Sequence, residues 1–284
     1  MGPKSPDAKK SWCQRFLRRH HLTIRRICHS GRKTREELEA LRLPFVEEVT
    51  EVATQHCIFD PNTSLAVARA LFNMDQTSLY WEMGTRTTVE FVGAPTVRST
   101  TNESEGYRCI MALTVLADGR IFPPHFVYNG APGGDVEKEL NKLCLEDVAT
   151  FSVQESAWFD ERVMLEWIEK CWKYIVVEPS VLILDSLSVH KKAEIADALA
   201  YTGTSVLYVP GGCTGVVQPL DVGVMVPVKQ HIRRLNSSRS VGRPKTVTPA
   251  FRRHQIFERA MEGLRCVSAT TVQNSFLKAG PFLP

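Results

Sequence analysis

The spacing of apolar positions changes along the chain, and each spacing predicts an element. In residues 11–21 (SWCQRFLRRHH), Trp12, Phe16 and His20 recur every fourth position among arginines, the period of one helix face. Ser11 suits the N-cap. A single amphipathic helix cannot bury its apolar side alone, so this one needs a partner. Residues 31–34 read as a linker and 36–52 as a second helix. Residues 65–75 begin helix-ambiguous and end as a short apolar run over 70–74 that closes on Asp75. YRCIMALTVLADG (107–119) predicts a strand reaching an Asp-Gly turn. IFPPHFVYNG (121–130) predicts a second, whose prolines point to an edge or a bulge; together they form a hairpin. Residues 160–174 predict a helix with Val163, Trp167 and Cys171 along one side. SVLILD (180–185) is apolar until its last residue, the pattern of a buried parallel strand. A helix over 191–201, a strand over 205–210, a helix from near Pro219 towards Arg234, a loop over 236–249 and a helix over 250–264 complete the pattern.

Strand, hairpin, helix, strand, helix, strand, helix is the order of an α/β domain with a mixed sheet. Sites in such folds gather at the carboxyl ends of strands. The 284 residues allow one large domain, or a medium one with a small companion. With 43% hydrophobic and 23% charged residues, the composition excludes a wholly disordered or collagen-like chain. No stretch approaches the ~20 apolar residues of a membrane span, and the start MGPKSPDAKK lacks the apolar core of a secretory signal. The eight cysteines form no C-x-x-C pair, so neither a zinc ribbon nor a disulfide framework is indicated. A reducing intracellular compartment is the default.

The net charge of +4 conceals a partition. Residues 1–35 carry +10, residues 36–227 carry −15, and residues 228–265 carry +8. The basic ends suit phosphate-rich partners. The acidic middle is either a solvated face or a set of carboxylates gathered to hold metal.

Three aspartates bear on that choice. Asp75 and Asp185 end apolar runs, and Asp221 follows Gln218-Pro219-Leu220 at a helix start. A single aspartate ending a strand more often serves a turn or cap. Three brought together would repel one another and titrate upward, and a divalent cation removes that problem. Sites rich in oxygen with few protein ligands suit Mg²⁺ or Mn²⁺. Two such ions roughly 3.5–4 Å apart can activate a nucleophile and stabilise the leaving oxygen of a phosphodiester.

FNMDQTSLY, VLILDSLSVHKK and VVQPLDVGVMVPVKQHIRR occur in that order and resemble the DDE transposases of the pogo/Tigger branch of the mariner superfamily, whose relatives include centromere protein B and jerky-like proteins. The matching segments are Asn73-Met74-Asp75-Gln76-Thr77, Leu182 to His190, and Gln218 to Gly223, with thirty-five residues between Asp185 and Asp221. FPPHFVYNG and SAWFDERVMLEWIEKCW are similar to the family's intervening segments, and SFLKAG near the end bears a fainter likeness. The resemblance spans about residues 64–235. It implies an RNase H-like mixed sheet flanked by helices. It also implies that Asp75, Asp185 and Asp221 hold two Mg²⁺ (or Mn²⁺) ions for strand nicking and strand transfer. Ser186 stands where the family usually has Asn, and Gln76 where Glu is common. His190 and Gln218 neighbour the site; His190 either touches the site or makes a structural hydrogen bond.

WCQRFLRRHHLTIRR (12–26) resembles the closing part of the second helix-turn-helix in this family's DNA-binding region. The resemblance implies that Arg15, Arg18, Arg19, Arg25 and Arg26 face phosphates while Trp12 and Phe16 pack on preceding helices. A short helical remnant of that module is therefore expected; the other reading is a solvated basic tail. RSVGRPK (239–245) is similar to the Gly-Arg-Pro core of an AT-hook but lacks the Arg before Gly, and reads as a basic surface loop.

These readings divide the chain into a basic helix-turn-helix remnant (1–35), a helical linker (36–63), an RNase H-like DDE catalytic domain (64–235) and a basic loop with a helical tail (236–284). The expected function is metal-dependent DNA nicking and strand transfer at transposon ends, in the nucleus. DNA is the expected partner, with a homo-oligomer forming on it, and no membrane. The alternatives are a catalytically silent DNA-binding protein tamed by its host, a decayed transposon fragment, and an RNase H-like nuclease acting on RNA.

Overall fold

The computed structural model describes residues 5–26, 33–56, 58, 70–83, 87–95, 107–143, 147–238 and 247–280. Its centre is a six-stranded mixed sheet. The chain supplies β2 (Leu71–Tyr80), β4 (Arg108–Leu116), β5 (His125–Asn129), β6 (Thr150–Gln154), β7 (Ser180–Leu184) and β8 (Thr204–Tyr208) in the spatial order β6-β5-β4-β2-β7-β8. β2 pairs antiparallel with β4 and parallel with β7; β4 and β5 are antiparallel; β5–β6 and β7–β8 are parallel. Every residue of β7 is buried, as its unbroken apolar run requires of a strand covered on both faces.

The hairpin is β4 and β5, but the proline expectation is corrected. Pro123 and Pro124 lie ahead of β5, which is paired on both sides and is not an edge. A proline has no N–H to give, yet the Pro124 carbonyl accepts from Thr150 N at 3.1 Å and opens the β5–β6 ladder.

α2 (Arg35–Gln55) begins at Thr34, which forms a capping box with Glu37. The helix expected over 160–174 is α4 (Glu161–Trp167), a π-helical turn (Ile168–Trp172) and the short α5 (Lys173–Ile175), with Val163, Trp167 and Cys171 all buried. α3 (Asp135–Leu143) and α6 (Ala193–Tyr201) follow β5 and β7 in the chain. After α7 (Thr214–Val217) comes a second π-helical turn (Leu220–Val224), then α8 (Met225–Ser238), α9 (Pro249–Arg265) and α10 (Ala269–Ala279). α10 packs directly on that turn.

The expected N-terminal helix is α1 (Pro6–Arg19), which starts earlier than the sequence suggests: its N-cap is Ser5, whose hydroxyl accepts from Ala8 N, and Ser11 lies inside it. The basic segment continues as a strand, β1 (Leu22–Arg26), which pairs antiparallel with β3 (Thr87–Phe91) in a separate two-stranded ribbon. Arg25 and Arg26 therefore stand on a strand and not on the helix that carries the other three arginines. The AT-hook-like residues 239–245, the helix-ambiguous start at 65–69 and part of the 31–34 linker lie outside the described residues. Among the described residues, no helix is long and apolar enough to cross a membrane.

Candidate active site

The register between β2 and β7 aligns two of the three aspartates. Asn73 sits opposite Ile183; two residues further along the parallel pair are Asp75 and Asp185. The ladder ends at the Asn73–Ile183 pair, and both acids lie two residues beyond it, so both emerge at the same end of the β2–β7 pair. Asp221 arrives from the π-helical turn. The link is Asn73: its amide donates to the Ile183 carbonyl at 3.0 Å, and its side-chain oxygen accepts from Leu220 N at 2.9 Å. One buried amide thus joins β2, β7 and the turn beside all three acids.

Gly223 makes the third arrival possible. A Cβ there would meet the Ser275 Cβ at 2.6 Å, far inside van der Waals contact. The glycine in the QPLDVG segment and the serine opening SFLKAG are thus two sides of one close approach, between the aspartate-bearing turn and α10. π-helical turns recur at functional sites, and Pro227, which cannot donate an N–H, follows this one in the first turn of α8.

Asp75, Asp185 and Asp221 line a single cleft of about 420 Å³ with Gln76, Thr77, Ser78, Tyr80, Met83, Thr214 and Lys229. Burial pushes the Asp75 carboxyl up to about 8, and the neighbouring Asp221 and Asp185 charges add to the effect, against the Gln76 N–H and Lys229. Burial also raises Asp221, with Asp185 adding and Lys229 opposing. This is the crowding of like charges that the sequence predicted for a metal-holding cluster.

A hard divalent cation suits this donor set: three carboxylates whose mutual repulsion it would relieve. As they stand, two of them are engaged elsewhere. Asp75 Oδ1 accepts from Gln76 N at 2.8 Å, and Asp185 Oδ1 lies 2.6 Å from His190 Nδ1. Among the described residues, no three His, Cys, Asp or Glu side chains form a ready-made metal cage.

The remaining sequence candidates fall in three places. His190 is buried behind Asp185 and touches the site through it, so the two roles left open for it in the sequence coincide. Gln218 is fully buried ahead of the turn, does not line the cleft, and neither of its side-chain amide atoms is hydrogen-bonded. Arg15, Arg18 and Arg19 are exposed on α1, whereas Arg25 is half-buried and donates to the Ala94 carbonyl at 3.3 Å. Trp12 and Phe16 stack on each other at 5.4 Å and remain exposed. Sequence reasoning missed Asn73 and Lys229 as site residues. Both lie within the quoted motifs; Lys229 stands eight positions after Asp221, two helical turns on, a spacing that returns a side chain near the same face.

This sheet order, with helices flanking a mixed sheet whose central strand pairs antiparallel on one side and parallel on the other, defines an RNase H-like core. The structure is similar to the crystal structure of the Mos1 strand transfer complex, with a TM-score of 0.50 at 9% identity, covering 96% of this chain and 67% of that one. The chain belongs to the DDE superfamily endonuclease family, whose model matches residues 109–270. It is 26% identical over 243 residues to the human pogo transposable element with KRAB domain, covering 81% of this chain and 36% of that protein. It is 27% identical over 229 residues to the human pogo transposable element with ZNF domain, covering 78% of this chain and 15% of that protein. The chain thus spans about a third or less of these relatives' lengths.

Proposed function

We propose that this chain is a metal-dependent DNA endonuclease of the transposase kind, which nicks a strand at an element's end and joins it to a target, acting in the nucleus as an oligomer on DNA. The observation that carries the reading is the convergence of Asp75, Asp185 and Asp221 on one cleft, where burial raises both Asp75 and Asp221 and the Asp185 charge adds to each. Two Mg²⁺ or Mn²⁺ ions held by these carboxylates would supply activation of the attacking oxygen and stabilisation of the leaving one. The residues themselves define the rest. The β2–β7 register holds Asp75 beside Asp185, and Asn73 fixes the turn that presents Asp221. Lys229 places a cation in the same cleft, where it attracts a phosphodiester backbone. The exposed Arg15, Arg18 and Arg19 on α1 add sequence-independent attraction for duplex phosphates, which weakens steeply with salt.

The test is nicking of supercoiled plasmid in Mg²⁺ or Mn²⁺, with EDTA and Asp185→Asn as controls. Nicking by the wild type alone, and only with metal, is the expected result. Salt-sensitive plasmid binding without nicking would contradict the enzymatic reading and leave a silent DNA-binding protein in its place.

A further inference from the structure

Behind the cleft runs a short chain of hydrogen bonds that the three carboxylates do not explain. Gln76 follows Asp75 on β2 and lines the cleft; its Nε2 lies 2.9 Å from Nε2 of His190. His190 sits in a 3₁₀ turn (Ser188–Lys191) and is only 2% exposed. Its Nδ1 lies 2.6 Å from Asp185 Oδ1 and 3.2 Å from the Asp185 carbonyl. Leu187 N also donates to Asp185 Oδ1, at 3.4 Å. The turn is anchored from β8, where the Tyr208 hydroxyl donates to the His190 carbonyl at 2.7 Å.

The chemistry of the groups orders this chain. An ionised carboxylate can only accept, so the bond to Asp185 needs a proton on His190 Nδ1. A neutral imidazole then has a lone pair at Nε2, which needs a donor. The Gln76 amide nitrogen donates and cannot accept. Each atom therefore has one role: Gln76 Nε2–H to His190 Nε2, and His190 Nδ1–H to Asp185 Oδ1. A glutamate at 76 would have only oxygens to offer and would demand a proton at Nε2 as well. Both donors to the Asp185 carboxylate, His190 Nδ1–H and the Leu187 backbone N–H, fall on Oδ1, so its rotation is fixed and Oδ2 is left outside the chain.

We propose that Gln76 and His190 are positioning residues: the Gln76 amide locks the buried imidazole as its Nδ1–H tautomer, and that N–H fixes the Asp185 carboxylate in the orientation that receives the divalent cation. The metal half of this rests on the function proposed above; the tautomer half rests on the hydrogen bonds alone. Hydrogen-bond partners of this kind orient a ligand before the ion arrives.

The full chain, labelled with ¹⁵N-histidine and free of metal, tests the tautomer through long-range ¹H–¹⁵N spectra. Wild type should show His190 as the Nδ1–H form. Gln76→Leu keeps the backbone bond from residue 76 to Asp75 and should give a mixture of forms. Titration with Mn²⁺ alone should then show affinity falling about tenfold or more in Gln76→Leu, within the range of second-sphere losses. Gln76→Leu is used in place of a change at the buried His190 because residue 76 is on the cleft wall, where a substitution disturbs folding less. A wild-type Nε2–H tautomer overturns the proposal, as does an unchanged tautomer in Gln76→Leu with Mn²⁺ affinity within twofold of wild type. No uptake of Mn²⁺ by wild type overturns instead the metal reading of the triad, and the metal half of this proposal with it, while the spectra decide the tautomer half on their own.

Discussion

β2 and β1 both carry functional candidates and both pair antiparallel with one neighbour, yet they hold their side chains in opposite ways. β2 lies at the middle of six strands, with Leu71, Met74 and Leu79 at 1% exposure or less and Asp75 at 9%. β1 belongs to a two-stranded ribbon in which Ile24 is 61% exposed and its cross-strand partner Val89 is 50% exposed. α1, beside it, has no buried residue. Three like charges can be forced together only where a packed frame resists their repulsion. An exposed basic helix such as α1 needs no such frame. A ribbon of two strands is marginal by itself, whereas the central strands can absorb the electrostatic cost of the triad.

The largest expected effect comes from exchanging the two regions' tryptophans for alanine. Trp172 is fully buried, meets Phe72 edge-on at 5.0 Å, and donates to Thr202 and Thr204 hydroxyls at 3.1 and 3.0 Å. Trp172→Ala should cost about 3–5 kcal/mol. Trp12→Ala should change stability by less than about 0.5 kcal/mol. Urea titrations of both variants measure the gap, and comparable losses would erase the distinction between frame and arm.

Next is the electrostatic load on the frame. In the metal-free chain Asp75 keeps its proton until about pH 8, whereas an aspartate in the unfolded chain loses it near 3.9. Between those values the folded state binds more protons, so stability falls as pH rises from about 4 to about 8. Asp75→Asn removes this penalty and can keep the bond from Gln76 N. It should stabilise the metal-free protein at pH 7 by on the order of 4 kcal/mol and flatten that part of the pH profile. Thermal melts across pH 5–8 in EDTA check the sign; a variant less stable than wild type at pH 8 would show that the acids are not crowded.

Smaller again is the seat of the third acid. Gly223→Ala should cost about 1–3 kcal/mol through overpacking against Ser275, and Ser275→Gly in the same chain should recover part of it. Chemical denaturation of the two single variants and the double variant measures the coupling.

Much of this frame was legible because buried parallel strands and long helices announce themselves by unbroken or periodic apolar runs. β7, α4 and the run over 70–74 did so. Asp185 does follow the end of β7, but β2 continues past Asp75 to Tyr80, so Asp75 stands mid-strand and not at a tip, and Asp221 was legible from the start of a helix. β6 did not. Its Thr150 and Ser152 read as polar, yet both are buried, with their hydroxyls bonded to His125 and to Glu166. Periodicity cannot see a polar group whose partner comes from elsewhere in the chain. β1 and β3 were hidden for another reason: LTIRR and TTVEF become strands only by pairing across sixty residues. The role of Asn73 was equally silent, because its two bonds reach residues more than a hundred positions away. Gln76 stood out in the sequence as a departure from the family's pattern, and the structure gives that departure a partner in His190.

The central claim, that the frame holds Asp75, Asp185 and Asp221 together so that a divalent cation can bind them, is tested most directly by the thermal midpoint of the full chain in Mg²⁺ or Mn²⁺ against EDTA. A ligand at about a hundred times its Kd stabilises the folded state by about 2.7 kcal/mol, a rise of about 5 °C for a chain of this size. Wild type should show that rise and Asp185→Asn should lose nearly all of it, with the variant's circular dichroism unchanged. Equal shifts in wild type and Asp185→Asn would contradict it.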